Sequence, residues 1–152
     1  MDRMHGGDGL TGRTVTGGRS VYGATVGILM LEARFPRIPG DMGNAATWPF
    51  PVQYRVVREA SPDRVVRHAA EGLLPRFVDA ARDLVAHGAD GITTNCGFLS
   101  LFQDELAAAV ERPVMTSALM QVAMVNRLLP PGQRAGILTI SGSTLTLSLI
   151  HI

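Results

Sequence analysis

The sequence predicts an α/β protein built on a parallel sheet, three layers deep with helices on both faces. Three observations carry that expectation. Aliphatic and β-branched runs of strand length stand at 25–31, 52–57, 91–94, 114–117 and 134–141. From residue 61 onward they are separated by stretches whose apolar residues recur at helical spacing. Strands and helices then alternate, and such an order calls for parallel pairing with right-handed crossovers.

Residues 1–20 are rich in Gly, Thr and Arg with little apolar content, and read as a disordered tail. Gly7-Asp8-Gly9-Leu10-Thr11-Gly12 matches the spacing of a dinucleotide-binding turn. No strand precedes it and no helix follows, so it is not read as a cofactor loop. The first strand, 25–31, leads into 34–51, where prolines, glycines and aromatics make a long loop. That loop is either a stiff connector or an ordered flap over a pocket. After the strand at 52–57, Ser61 is placed to cap a helix and Pro62 to occupy its first turn. Gly72 and Pro75 divide the helical stretch that follows in two. Leu73, Leu74, Phe77, Ala80, Ala81, Leu84 and Val85 share one face, and Gly88 ends it. His68 and His87 fall on the polar side and read as surface residues. Further helices are expected at 98–110 and 118–129, with the fifth strand, 134–141, after them.

The chain has 152 residues, enough for one domain with a core and part of another. It divides into the tail at 1–20, an α/β domain at 21–131 and the start of a second unit at 132–152. The closing Leu147-Ser148-Leu149-Ile150-His151-Ile152 is an apolar finish without a partner, and the chain reads as a truncated piece. A formal charge of +1 argues against nucleic-acid and membrane-surface partners. No apolar run approaches the roughly 20 residues that a membrane span needs. One cysteine cannot make an internal disulfide, which fits a reducing cytoplasm. All 14 residues of the Lys+Arg count are arginine. Without lysine there is neither a pyridoxal-phosphate Schiff base nor a Walker A loop.

The chemistry concentrates at Cys96. It follows the strand 91–94 and precedes the apolar-periodic run from Phe98, so it sits at a strand's carboxyl end. Ligands of open α/β sheets bind there, and a helix N-terminus favours a thiolate. Position alone allows a buried inert thiol equally well. A cysteine phosphatase would need an arginine six positions on, where Phe102 stands, and no cluster of His, Cys, Asp and Glu suggests a metal.

Ile92-Thr-Thr-Asn-Cys-Gly-Phe-Leu99, Arg112-Pro-Val-Met-Thr-Ser-Ala-Leu119 and Arg134-Ala-Gly-Ile-Leu-Thr-Ile-Ser141 together resemble the aspartate/glutamate racemase superfamily. Phe35 to Asn44 resembles one of its subgroups. The superfamily also holds hydantoin racemases, maleate isomerases and arylmalonate decarboxylases, which leaves the substrate open. The resemblance implies a cofactor-independent, pyridoxal-phosphate-free isomerase with two facing α/β domains, each giving one cysteine to the cleft. It implies that Cys96 is one of two acid/base residues acting on a small carboxylate or amino acid. Asn44, Asn95, Gly97, Thr116 and Ser117 would bind that substrate. The family's usual Cys-Asn-Thr is here Cys96-Gly97-Phe98, and the second cysteine is absent, so this piece alone is expected to be inactive.

Racemisation takes a proton from one face of the α-carbon and returns it on the other, which suits two acid/base groups. Backbone N–H groups at Gly97 and Phe98 could hold the carboxylate and the developing charge. Two other classes stay open: a non-catalytic binding domain of the same fold, and a related cysteine-dependent decarboxylase or hydrolase. Assembly into identical copies is also open.

Overall fold

The computed structural model describes residues 17, 18, 20–23 and 26–145. The tail expected before residue 17, the loop motif at 7–12 and the closing segment 146–152 lie outside them. Four strands form one parallel sheet: β1 (Val26–Leu31), β2 (Val52–Val57), β3 (Gly91–Thr94) and β4 (Val114–Met115), in the order β2-β1-β3-β4. Val26 stands beside Val52 on one side and Gly91 on the other, and Ile92 beside Val114. The α/β class and the parallel pairing are therefore present.

Four α-helices accompany the sheet: α1 (Pro62–Arg67), α2 (Leu74–Ala86), α3 (Gln103–Ala109) and α4 (Val122–Leu128). Ser61 caps α1 by accepting the Arg64 N–H, and Pro62 fills its first position. Gly88 takes φ +107 after α2, a left-handed exit that glycine makes without steric cost. Phe77, Ala80, Ala81 and Leu84 of α2 are buried against Leu29, Leu31, Val57 and Ile92. Gly27 permits this approach: a Cβ there would stand 3.0 Å from Leu84 Cδ1 and 3.0 Å from Ile92 Cδ1. Arg55 in turn pairs with Asp83 of α2 at 3.2 Å.

The loop at 34–51 is ordered by its own polar groups. Arg37 pairs with Asp41 at 3.0 Å, and the Thr47 hydroxyl donates to the Asp41 carbonyl at 2.7 Å. Tyr54 of β2 donates its hydroxyl to the Met42 carbonyl at 2.8 Å, which fastens the loop to the sheet. A Cβ at Gly43 would stand 2.7 Å from Met30 Cε, so the loop also lies on β1.

Four expectations need correction. The run at 98–110 begins as a 3₁₀ turn (Gly97–Phe102), and the run at 118–129 begins as another (Ala118–Gln121). The strand expected at 114–117 stops at Met115, because the Thr116 N–H turns to the Gln103 side chain. No strand forms at 134–141: Leu138 is fully exposed and Ile140 largely so, and a strand without a neighbour has nothing to pair with.

Candidate functional site

β3 ends between β1 and β4, and the residues that leave it are gripped from both sides. Asn95 donates its N–H to the Leu29 carbonyl at 3.1 Å, and its Oδ1 accepts the Leu31 N–H at 2.9 Å. Thr94, last in the strand, donates its hydroxyl to the Thr116 carbonyl at 2.6 Å and accepts the Cys96 N–H at 3.3 Å. Cys96 follows in extended conformation (φ −136, ψ 117) and opens the 3₁₀ turn. Its side chain is half-buried, resting against the core without being sealed in it.

Burial pushes the Cys96 thiol above the ordinary range, because a thiolate is poorly solvated there. The backbone N–H groups of Phe98 and Leu99 pull the other way without cancelling it. The resting group is thus a thiol, which corrects the expectation of a thiolate favoured by a helix N-terminus: one short 3₁₀ turn supplies too little to offset desolvation. A raised folded-state value means the native chain keeps a proton that the unfolded chain loses. Stability should therefore fall as pH rises past about 8.5, by at most about 1.4 kcal/mol per pH unit from this group. Denaturant unfolding between neutral and alkaline pH checks this, and the component should vanish in Cys96→Ala; an identical decline in both chains would assign it elsewhere.

The other candidates divide. Ser117 lies beside the turn that follows Cys96; a Cβ at Gly97 would come within 3.4 Å of its Oγ. That hydroxyl oxygen accepts the Leu119 N–H at 3.0 Å and caps the turn Ala118–Gln121. Thr116 is 0% exposed, and its hydroxyl donates to Gln103 Oε1 at 2.8 Å, so it belongs to a buried knot beneath the strand ends. Asn44 has both ends of its amide engaged within its own loop, accepting from Ala46 N–H and donating to the Arg37 carbonyl. No hydrogen bond links it to Cys96 among the described residues.

Sequence reasoning passed over Thr94 and Gln103. Both read as unremarkable polar positions, and only the approach of β4 reveals what they hold. Ser100 was missed for a similar reason: its buried hydroxyl has no partner among the described residues. A groove between α1 and 140–144 is lined by Pro62, Asp63, Val66, Arg67, Ile140 and Ser141 among others, and includes none of the candidates. His68 and His87 are exposed beside Asp63 and Asp83. Among the described residues no three His, Cys, Asp or Glu side chains come together to hold a metal ion, and no helix is long and apolar enough to cross a membrane.

Fold and site define a class: an α/β protein whose single cysteine stands at the carboxyl end of an inner parallel strand. The chain is similar to dimethylsulfoniopropionate lyase 7 of Emiliania huxleyi (strain CCMP1516), 30% identical over 126 residues, 80% of this chain and 36% of that protein. It is 29% identical over 140 residues to dimethylsulfoniopropionate lyase 5 of the same organism, covering 84% of this chain and 27% of the relative. A dimethylsulfoniopropionate lyase of Durusdinium sp. clade D is 28% identical over 102 residues, 63% of this chain and 33% of that protein. The chain spans about a third of the length of these curated relatives. No family model matches it, and no solved structure matches significantly.

These relatives overturn the racemase resemblance. They are named lyases, and no racemase model matches the chain. The isomerase reading goes with it, as does the paired-cysteine acid/base scheme that the resemblance supplied.

Proposed function

We propose that this chain carries the thiol-bearing part of a carbon–sulfur lyase acting on dimethylsulfoniopropionate or a close analogue. The observation that carries the reading is the position of Cys96, half-buried where β3 gives way to a turn and held from both neighbouring strands. The similarity to lyases supports it. Such a substrate has a carboxylate at one end and a dimethylsulfonio group on the β-carbon. Elimination removes the α-proton while the C–S bond breaks. The bonding pair departs with sulfur as dimethyl sulfide, and acrylate remains.

Only one base on one face is needed for this, so a single cysteine suffices where racemisation would want two. Cys96 takes the α-proton. Its raised pKa fits a cationic substrate: an opposite charge within about 4–6 Å favours the ionised form of an acid. The sulfonium thus offsets the burial that keeps the resting thiol protonated. Asn95, Gly97 and Ser117 offer uncharged groups for the carboxylate. Thr116 and Asn44 serve by holding the strand end and the loop in place. The sheet forms the middle of three layers in a unit at 21–131, and 132–152 opens a second unit. The setting is cytoplasmic, and no cofactor, nucleic acid or membrane takes part.

Dimethyl sulfide released into the headspace, with acrylate in solution, tests the reading. The chain should release both from dimethylsulfoniopropionate, and Cys96→Ser should lower the rate at least a hundredfold. The same compound should slow alkylation of Cys96. A chain that neither releases dimethyl sulfide nor shields its thiol overturns the proposal, as does a Cys96→Ser chain of unchanged rate.

A further inference from the structure

We infer that Thr94 is a positioning residue for Cys96, its hydroxyl tying the cysteine's own peptide to the end of β4. The inference rests on the proposed function for its purpose and on separate observations for its geometry. Thr94 is 4% exposed, so its hydroxyl has left water and needs partners. It finds them around one residue. Thr94 Oγ1 accepts the Cys96 N–H at 3.3 Å and lies 3.1 Å from the Cys96 carbonyl oxygen. Its proton has a shorter acceptor in the Thr116 carbonyl, at 2.6 Å. Valine would fill the same buried, β-branched place with no polar group to satisfy. What the hydroxyl adds is the link between the Cys96 peptide and β4.

Asn95 makes the matching link to β1, through Leu29 and Leu31. Cys96 is therefore the first residue beyond two clamps pulling toward opposite neighbours, and its Sγ direction follows from where they leave its backbone. The N–H groups of Phe98 and Leu99, the second of which donates to the Cys96 carbonyl at 3.0 Å, favour the ionised sulfur only while that direction holds. Releasing the Thr94 clamp lets the Cys96 peptide turn and weakens their pull on the sulfur.

Alkylation by iodoacetamide followed by mass tests this, since the chain has one cysteine and gives one adduct. Thr94→Val should react about tenfold more slowly near pH 8 and show its reactivity profile displaced to higher pH. Thr94→Ser keeps the hydroxyl and should stay within about twofold of the unsubstituted chain across that profile. A merely structural threonine would lower the melting temperature in either variant and leave the profile where it was. A folded Thr94→Val chain with an unchanged profile overturns the inference. So does Thr94→Ser displaced as far as valine, and the serine variant decides by itself if the valine variant does not fold. Repeating the alkylation with dimethylsulfoniopropionate present separates the two readings: loss of protection in the unsubstituted chain defeats the lyase reading, whereas the Thr94 inference stands or falls on the variants.

Discussion

Replacing Gln103 by alanine should destabilise the fold by about 3 kcal/mol, since it strands several buried polar groups that each cost about 1–3 kcal/mol when unpaired. Gln103 opens α3 and is 8% exposed. Its Nε2 donates to the Val114 carbonyl at 3.0 Å, while Oε1 accepts both the Thr116 N–H at 3.0 Å and the Thr116 hydroxyl at 2.8 Å. One amide thus does for the end of β4 what a further strand would otherwise do. Alanine leaves the Val114 carbonyl and both Thr116 donors without those partners, in a space too dry to replace them cheaply. Urea unfolding should show the loss as a lowered midpoint with an unchanged slope. Thr116→Val removes one member of the knot in advance, so adding it to Gln103→Ala should cost less than the two single losses summed. Strict additivity would mean that the knot does not act as a unit.

That knot also marks where sequence reasoning stops. The edges of β2 and β3, the Ser61–Pro62 start of α1 and the Gly88 exit of α2 were legible because each depends on its own few residues. Gln103 was not, because its partners lie 11 and 13 residues on and become neighbours only when α3 folds back beside β4. The 3₁₀ openings at Gly97–Phe102 and Ala118–Gln121 escaped for another reason. Over one or two turns a period of 3.0 places apolar residues much as 3.6 does. The expected strand at 134–141 has the right residues and no neighbour among those described, and strands are made by neighbours.

The candidate site was legible only as an address. A cysteine between a β-branched run and an apolar turn marks the carboxyl end of a strand, and Cys96 stands there. The reaction was not, because a thiol at such a place can serve any chemistry that starts from an acidic C–H, and fold alone does not choose among them. The resemblance to racemases was carried by short stretches, 35–44, 92–99, 112–119 and 134–141; similarity over most of the chain points to lyases instead. The thiol's protonation state was equally out of reach, because it depends on how much protein closes over the sulfur.

Replacing Phe77 by alanine should have the largest effect on stability, a loss of about 4 kcal/mol, within the range of about 3–5 for emptying a buried aromatic site. Phe77 is 0% exposed at the centre of the α2 face. Its ring stands 5.8 Å from that of Phe102, tilted by 54°, a favourable arrangement beyond simple burial. Phe102 ends the 3₁₀ turn that Cys96 begins, so this pair joins α2 to the turn that follows the cysteine. Alanine at 77 opens a space that the backbone of α2 cannot close, because Gly27 already brings Leu84 and β1 to their limit of approach. The consequence therefore reaches the thiol as well as the core. A Phe77→Ala chain held below its lowered melting temperature should alkylate Cys96 with a broader pH profile, because the turn has lost the ring that held its far end. Phe77→Leu keeps most of the volume and should cost about 1–2 kcal/mol, leaving that profile nearly unchanged. An alanine variant that melts with the unsubstituted chain would show that α2 is not the element on which the sheet and the Cys96 turn are mounted.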